Sequence, residues 1–229
     1  MSIRIQNPLN TRIQTRINMG ANLVPRVSGF YVEKVLFDMG SPVYKVSTSI
    51  RNGCIDPGEH RVIWFDLFLN NIGNANFVIG NPASRPDVFL FSPTRFKEKF
   101  YTWRLTDNTG AEKSTGFKVA FCIMDFGQGG FNCQNQGVSV GSHDLYDTNL
   151  PCQFVKIDNL PDGMYTLHVT ANAYTVQQVK NGQQPLPGLE EDNYEDNTIS
   201  IQLHLKGDNV SVVDEERNQN SQIKAEFGG

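Results

Sequence analysis

The chain reads as an all-β protein, a β-sandwich with long loops, and three observations lead there. Between Arg51 and Leu205 no stretch of a dozen residues carries apolar side chains at the i, i+3, i+4 spacing of a buried helix face. Strand-length runs bounded by Gly, Pro, Asn and Asp recur at short intervals instead. Within those runs polar positions alternate with apolar ones, so that one face of each sheet meets solvent and the other is buried. Two sheets packed face to face are the arrangement that covers such faces. With 229 residues, 39% of them hydrophobic, one core suffices.

The elements follow in order. Residues 1–20 repeat a short theme, I-R-I-Q, T-R-I-Q, T-R-I-N, in which Arg and Ile alternate. Arg4, Arg12, Arg16 and Arg26 all precede the first carboxylate, Glu33, and Pro8 opposes a continuous helix. This segment reads as a basic, extended N-terminal arm ahead of a domain over residues 21–206. Phe30–Phe37 and Val43–Ser49 read as two strands around the turn residues Gly40, Ser41 and Pro42. Arg61–Asn71 is the next strand, with Val62, Trp64, Asp66 and Phe68 on one face and Ile63, Phe65, Leu67 and Leu69 on the other, buried face. Further strands fall on Lys99–Asp107, Phe117–Asp125, Cys152–Leu160, Met164–Asn172 and Thr198–Lys206. Residues 207–229 lack an apolar face and read as a polar C-terminal tail lying on the surface or on a neighbour.

Charge and patterning narrow the function classes. A net charge of −4 and a pI near 5.6 give no global attraction to nucleic acid or anionic membrane, so nucleic acid is not an expected partner. No run of about 18 apolar residues is present, which removes a transmembrane helix. The first residues also lack the continuous apolar segment of a secretory signal, and the expected location is therefore inside a cell or within a virus particle rather than secreted. Cys54, Cys122, Cys133 and Cys152 show no C-x-x-C spacing, which argues against a thiolate metal site.

The densest motif series lies between Gly116 and Leu167. It runs F-K-x-x-F-C from Phe117 to Cys122, C-x-x-Q-G-x-S-x-G from Cys133 to Gly141 and D-x-Y from Asp144 to Tyr146. C-Q-F at Cys152–Phe154 and P-D-G-x-Y-x-L at Pro161–Leu167 complete it. In order and spacing this series resembles the lysyl oxidase family, copper amine oxidases that oxidise peptidyl lysine. The resemblance is strong over residues 70–205 and weaker over 22–70. It implies that Lys118 and Tyr146 occupy the two precursor positions of the family's lysine tyrosylquinone cofactor. Cys122, Cys133 and Cys152 stand where animal members carry disulfide cysteines. A Cys122–Cys133 bridge across the Gly-rich loop and buried free thiols both remain open.

The same resemblance exposes a loss. In the family a strand carrying H-x-H-x-H delivers three imidazoles to copper, and here the three positions are read as Arg95, Lys97 and Lys99, with Phe96, Glu98 and Phe100 on the opposite face. A guanidinium or an ammonium has no lone pair to donate, and three positive charges repel a divalent ion. The four histidines, His60, His143, His168 and His204, form no ligand spacing. Copper and lysine tyrosylquinone are therefore not expected, and Lys118 and Tyr146 read as vestigial.

The resulting expectation is a non-catalytic, lysyl oxidase-like structural or assembly protein, a component of a large assembly such as a virus particle, which meets other subunits through its arm and tail. An active copper-dependent protein-lysine oxidase and an anion- or nucleic-acid-binding module built on Arg95, Lys97 and Lys99 stand as alternatives. The resemblance also implies a calcium site, since several animal members bind calcium at an E-x-D-Y-x-N-N-like loop with help from an Asp-Leu pair. Matched on Tyr194, the loop ligands fall on Glu191, Asn193, Asp196 and Asn197, and the early pair on Asn22 and the carbonyl of Leu23. All are oxygen donors suited to calcium, with one carboxylate fewer than the family pattern.

Overall fold

A computed structural model of the chain describes residues 20–215 other than 91 and 128. The basic arm over 1–19 and the end of the tail over 216–229 lie outside the described residues. Two antiparallel sheets face each other. In the first, β1 (Leu23–Phe37) pairs β2 (Gly58–Asn71), whose other edge carries two short strands yet to come in the chain. Beyond β2 follow β3 (Phe77–Gly80), β4 (Tyr101–Asp107), β5 (Glu112–Lys118) and β6 (Gln136–Val138). The strands that complete the first sheet are β7 (His143–Tyr146) and β8 (Phe154–Lys156). The second sheet runs in the order β11-β10-β9-β4-β5, with β9 at Gly163–Thr170, β10 at Thr198–Lys206 and β11 at Asn209–Glu215; β3 and β6 form a small separate pair.

The core between the sheets is built by alternation. Ile63, Phe65, Leu67 and Leu69 of β2 meet Trp103 and Leu105 of β4, Leu167 and Val169 of β9, and Ile201 and Leu203 of β10 in one continuous cluster. Trp103 also ties the layers directly, because its indole Nε1 donates to the Phe154 carbonyl on β8 at 2.9 Å. β1 bends at a bulge between Ser28 and Tyr31, where Gly29 sits at φ +63° and a Cβ would come within 2.4 Å of the Asp66 carboxylate.

Several expectations are corrected here. Val43–Ser49 is not a strand but the start of α1 (Tyr44–Arg51). Its Val, Thr and Ile residues favour extended chain, yet packing decides otherwise. Val46 inserts into a second cluster with Val35, Phe37, Ile55, Val62, Trp64 and Phe154, while the Ser49 hydroxyl takes the Cys152 N–H at 2.9 Å. For the same reason Val62 and Trp64 on the supposed open face of β2 are fully buried: α1 covers them, and Lys45 of that helix sets its Nζ 3.8 Å from the Trp64 ring. A second short helix, α2 (Ala173–Lys180), starts from Asn172 in the left-handed region.

The expected strand Phe117–Asp125 stops at Lys118, since Ala120 at φ +59° breaks the ladder. The chain then runs on as a strap whose N–H groups are taken up piecemeal, Phe121 by the Thr94 carbonyl and Ile123 by the Gln136 side chain. Beyond Gly207 the polar tail contributes β11, so the second sheet extends past residue 206. All four cysteines are paired, Cys54 with Cys152 and Cys122 with Cys133, which sets aside the buried free thiols. No helix among the described residues is long and apolar enough to cross a membrane.

Candidate functional site

Lys118 ends β5 and Tyr146 ends β7, so the two residues reach the core from opposite sheets. The Lys118 Nζ stands 5.4 Å from the Tyr146 ring centroid, with both side chains buried, and donates to the Pro151 carbonyl at 2.9 Å. Burial pushes this amine down to about 7, against the opposing pull of the Asp147 and Asp144 charges. The Tyr146 hydroxyl donates to the Cys122 carbonyl at 2.9 Å and makes a short contact with the Asp144 carboxyl group. Burial also raises Asp144 to about 7, so a protonated Asp144 can donate to the tyrosine oxygen while Tyr146 serves Cys122. Tyr146 itself is held well above the ordinary phenol range, chiefly by its burial. The sequence motif located the lysine and the tyrosine; Asp144 lies inside the same D-x-Y motif, but its role emerges only from its burial.

Residues 95–99 do not form the strand face expected of them. They lie in a loop before β4, so their side chains do not follow a two-residue alternation. The Arg95 Nη2 turns to the Asn52 side chain at 2.9 Å, and the Lys99 Nζ lies over the Phe117 ring at 4.1 Å. The histidines are no nearer to one another's work. His60 bonds Asp158 and the Asp56 carbonyl, His143 lies against Phe68 and Phe126, His168 bonds Thr106 and Ser200, and His204 is exposed on β10. Among the described residues no three His, Cys, Asp or Glu side chains come together to hold a metal ion.

The third cluster lies where the start of β1 meets the loop before β10. Glu191 is its centre: one carboxylate oxygen accepts the Leu23 N–H at 2.6 Å, and the other accepts the side-chain amides of Asn172 at 2.8 Å and Asn197 at 2.9 Å. Asn22 donates its side-chain amide to Asp196 at 3.0 Å. Burial raises Glu191 to about 8 despite those donors, and it raises Asp196 as well. Asn193 is turned inward on its own loop, its side-chain oxygen accepting the Glu195 N–H at 3.0 Å. Three buried oxygens here, Asn22 Oδ1, Asp196 Oδ1 and Asn197 Oδ1, have no hydrogen-bond partner among the described residues. Asn172 was not singled out from the sequence, since nothing short of its left-handed backbone and buried amide marks it.

Comparison with known proteins decides the family, because the model of the family described as lysyl oxidase matches residues 45–214. The chain belongs to the lysyl oxidase family. Similar proteins include human lysyl oxidase homolog 2, 24% identical over 162 residues, covering 62% of this chain and 20% of that protein. The chicken lysyl oxidase homolog 2 is 25% identical over 139 residues, with 56% of this chain and 18% of that protein covered. Zebrafish lysyl oxidase homolog 3B is 28% identical over 127 residues, with corresponding shares of 50% and 15%. The chain thus spans about a fifth or less of the length of these curated relatives.

As a lysyl oxidase family member the chain departs from copper chemistry in its residues. No histidine occurs anywhere between His60 and His143, so the segment leading into β4 supplies no imidazole in whatever register it is aligned. Its basic side chains cannot replace one. The donor set does not fit copper, and no step through copper or a quinone follows from this site. Lys118 and Tyr146 remain side by side as a buried amine and a buried phenol.

Proposed function

We propose that this lysyl oxidase-like domain acts without catalysis, as an assembly protein within a large structure such as a virus particle. The observation that carries the reading is β11. Among the described residues it ends the second sheet, and Val212 and Val213 on it are 38% and 53% exposed. An edge strand that exposes apolar side chains is a template for pairing with another chain. Exposed Leu36, Met39, Val43 and Tyr44 around the end of β1 and the start of α1 add apolar surface to the same molecule. Light scattering after gel filtration tests this on the full chain, on a chain beginning at Gly20 and on Val213→Lys. The full chain is expected to associate, and each change to shift it toward monomer. A monomeric full chain, or association unchanged by both alterations, overturns the proposal. Binding of one copper per chain with a positive quinone stain would instead favour an oxidase.

The two disulfides bear on where such assembly takes place. Cystines persist in oxidising surroundings. This supports a chain that matures in, or is exposed to, such surroundings, rather than one confined to a reducing interior.

A calcium site is a second reading, favoured by the three unpartnered oxygens on Asn22, Asp196 and Asn197. Calcium takes six to eight oxygen ligands, and the Glu191 and Asp196 carboxyl groups, whose proton affinity burial raises, stand beside those oxygens. Glu191, Asp196, Asn22 and Asn197 would hold the ion, with Asn193 and the Leu23 carbonyl within the same two segments. Millimolar calcium should raise the melting temperature of the wild type and leave a Glu191→Ala, Asp196→Ala variant unmoved. Equal response of the two proteins, or none in the wild type, removes this reading.

A further inference from the structure

The loop that carries Arg95, Lys97 and Lys99 does more than lack histidines. Together with the strap after β5 it encloses a recess of about 180 Å³. Inside it Phe96 stacks on Phe121, ring centroids 5.1 Å apart and 20° between planes, while Arg95, Lys97 and Lys99 are exposed around it. None of the three cations is ion-paired to a described carboxylate. Glu98 is the one acidic residue on the lining among the described residues, and the Lys118 amine, also part of the wall, donates to the Pro151 carbonyl.

Three cations without an ion-pair partner among the described residues, in a protein of net charge −4, are not a by-product of a basic composition. Two of them are already oriented. Arg95 is tethered through one nitrogen to Asn52, which leaves its remaining N–H groups free to donate, and Lys99 is held on the Phe117 face. The recess lies below the 300–1,000 Å³ typical of sites for larger ligands, so it suits one ring and one anionic group. Counting Arg95, Lys97, Lys99 and Glu98, the lining carries a formal charge of +2 (three cations less one carboxylate). A phosphate monoester brings about −1.5 to −2 at neutral pH.

We propose that this recess binds an aryl phosphate, its ring against Phe96 and Phe121 and its phosphoryl oxygens among Arg95, Lys97 and Lys99. The site does not depend on the assembly function, and the two can fail separately. The chemistry is shared by a free aryl phosphate and a phosphotyrosine side chain. Amide resonances of the full chain can be followed during titration with phenyl phosphate, inorganic phosphate and a Gly-phosphotyrosine-Gly peptide. Phenyl phosphate should shift Phe96, Lys97, Lys99 and Phe121 and bind at least five-fold tighter than inorganic phosphate. Charge reversal at two exposed positions, Lys97→Glu with Lys99→Glu, should weaken it at least ten-fold, and added salt should weaken it further. Tighter binding of the peptide identifies a protein source, and tighter binding of phenyl phosphate a small molecule. No shifts at 10 mM phenyl phosphate, equal affinity for inorganic phosphate, or shifts that survive the double reversal in a folded variant overturns the proposal.

Discussion

The Lys118 Nζ lies 5.4 Å from the ring of Tyr146, yet it donates its hydrogen bond to the Pro151 carbonyl, while the tyrosine hydroxyl donates to the Cys122 carbonyl and meets the Asp144 carboxyl group. The pair is adjacent without being bonded. Around it sit an amine lowered to about 7 and a carboxyl raised to about 7, each shifted mainly by burial.

Those shifts make a stability prediction with opposite signs on the two sides of neutrality. Asp144 binds its proton more tightly when folded, so between the unfolded value of 3.8 and about 7 its contribution falls as pH rises. Lys118 binds its proton less tightly when folded, so between about 7 and 10.5 its contribution grows as pH rises. Each limb is expected to have a slope approaching about 1.4 kcal/mol per pH unit. Urea unfolding across pH 4–10 should show the falling limb made shallower in Asp144→Asn, with buried Glu191, raised to about 8, supplying the slope that remains, and the rising limb lost in Lys118→Met. Identical pH profiles for both variants and the wild type would show that burial does not shift these groups.

The two disulfides should differ in weight. Cys54 and Cys152 close a separation of 98 residues and pin α1 to the segment before β8, whereas Cys122 and Cys133 close only 11. Chain-entropy arguments give the longer closure about 2 kcal/mol more stabilisation. Cys54→Ser with Cys152→Ser should therefore lower the melting temperature more than Cys122→Ser with Cys133→Ser. Equal losses in calorimetry would contradict this ordering.

How much of this was readable in advance depends on range. Alternation alone placed Ile63, Phe65, Leu67 and Leu69 in the core, because a strand's side-chain period is local and the buried face is written every second residue. Helix α1 was not readable, since Val46, Thr48 and Ile50 favour extended chain and only the cover that Val46 and Ile50 provide for Trp64 reverses that preference. The motif series located Lys118 and Tyr146 but not Asp144 as their supporting group, and the match on Tyr194 located Glu191 but not Asn172 beside it. What gives those two residues weight is desolvation and long-range contact, neither of which leaves a local pattern. The Cys54–Cys152 pairing, with no spacing signal across 98 residues, was hidden for the same reason.

Close approach of the Trp103 indole to Gly116 on the neighbouring strand supplies a third test. Gly116 pairs Trp103 across β4 and β5, and a Cβ there would meet the indole Nε1 at 2.0 Å. The indole cannot yield without releasing the Phe154 carbonyl it bonds in the opposite sheet. Gly116→Ala should cost about 1–3 kcal/mol, the range of overpacked cores. Trp103→Phe in the same background should recover part of that loss by removing the obstructing ring atoms. A Gly116→Ala protein of wild-type stability would mean that the strands can separate freely at this point.

Restoring histidines is the sharpest test of how far the ancestral chemistry has receded. If the loss were only a matter of three side chains, Arg95→His, Lys97→His and Lys99→His together would rebuild a copper site beside Lys118 and Tyr146. The backbone argues otherwise. Residues 95–99 lie in a loop rather than a strand, so short imidazoles placed there do not inherit the shared direction of alternate strand positions, although the longer Arg95, Lys97 and Lys99 side chains border one recess. Copper binding needs three donors on one ion at about 2 Å each, a geometry that imidazoles on an irregular loop reach only by remodelling it. The triple variant should therefore hold well under one copper per chain after dialysis and remain negative to a quinone stain. The exposed positions of all three residues make its folding comparable to that of the wild type, so a negative result is not explained by collapse. One tightly held copper with quinone formation at Tyr146 would show that the loop still adapts to the metal, and that side-chain identity alone separates this chain from an oxidase.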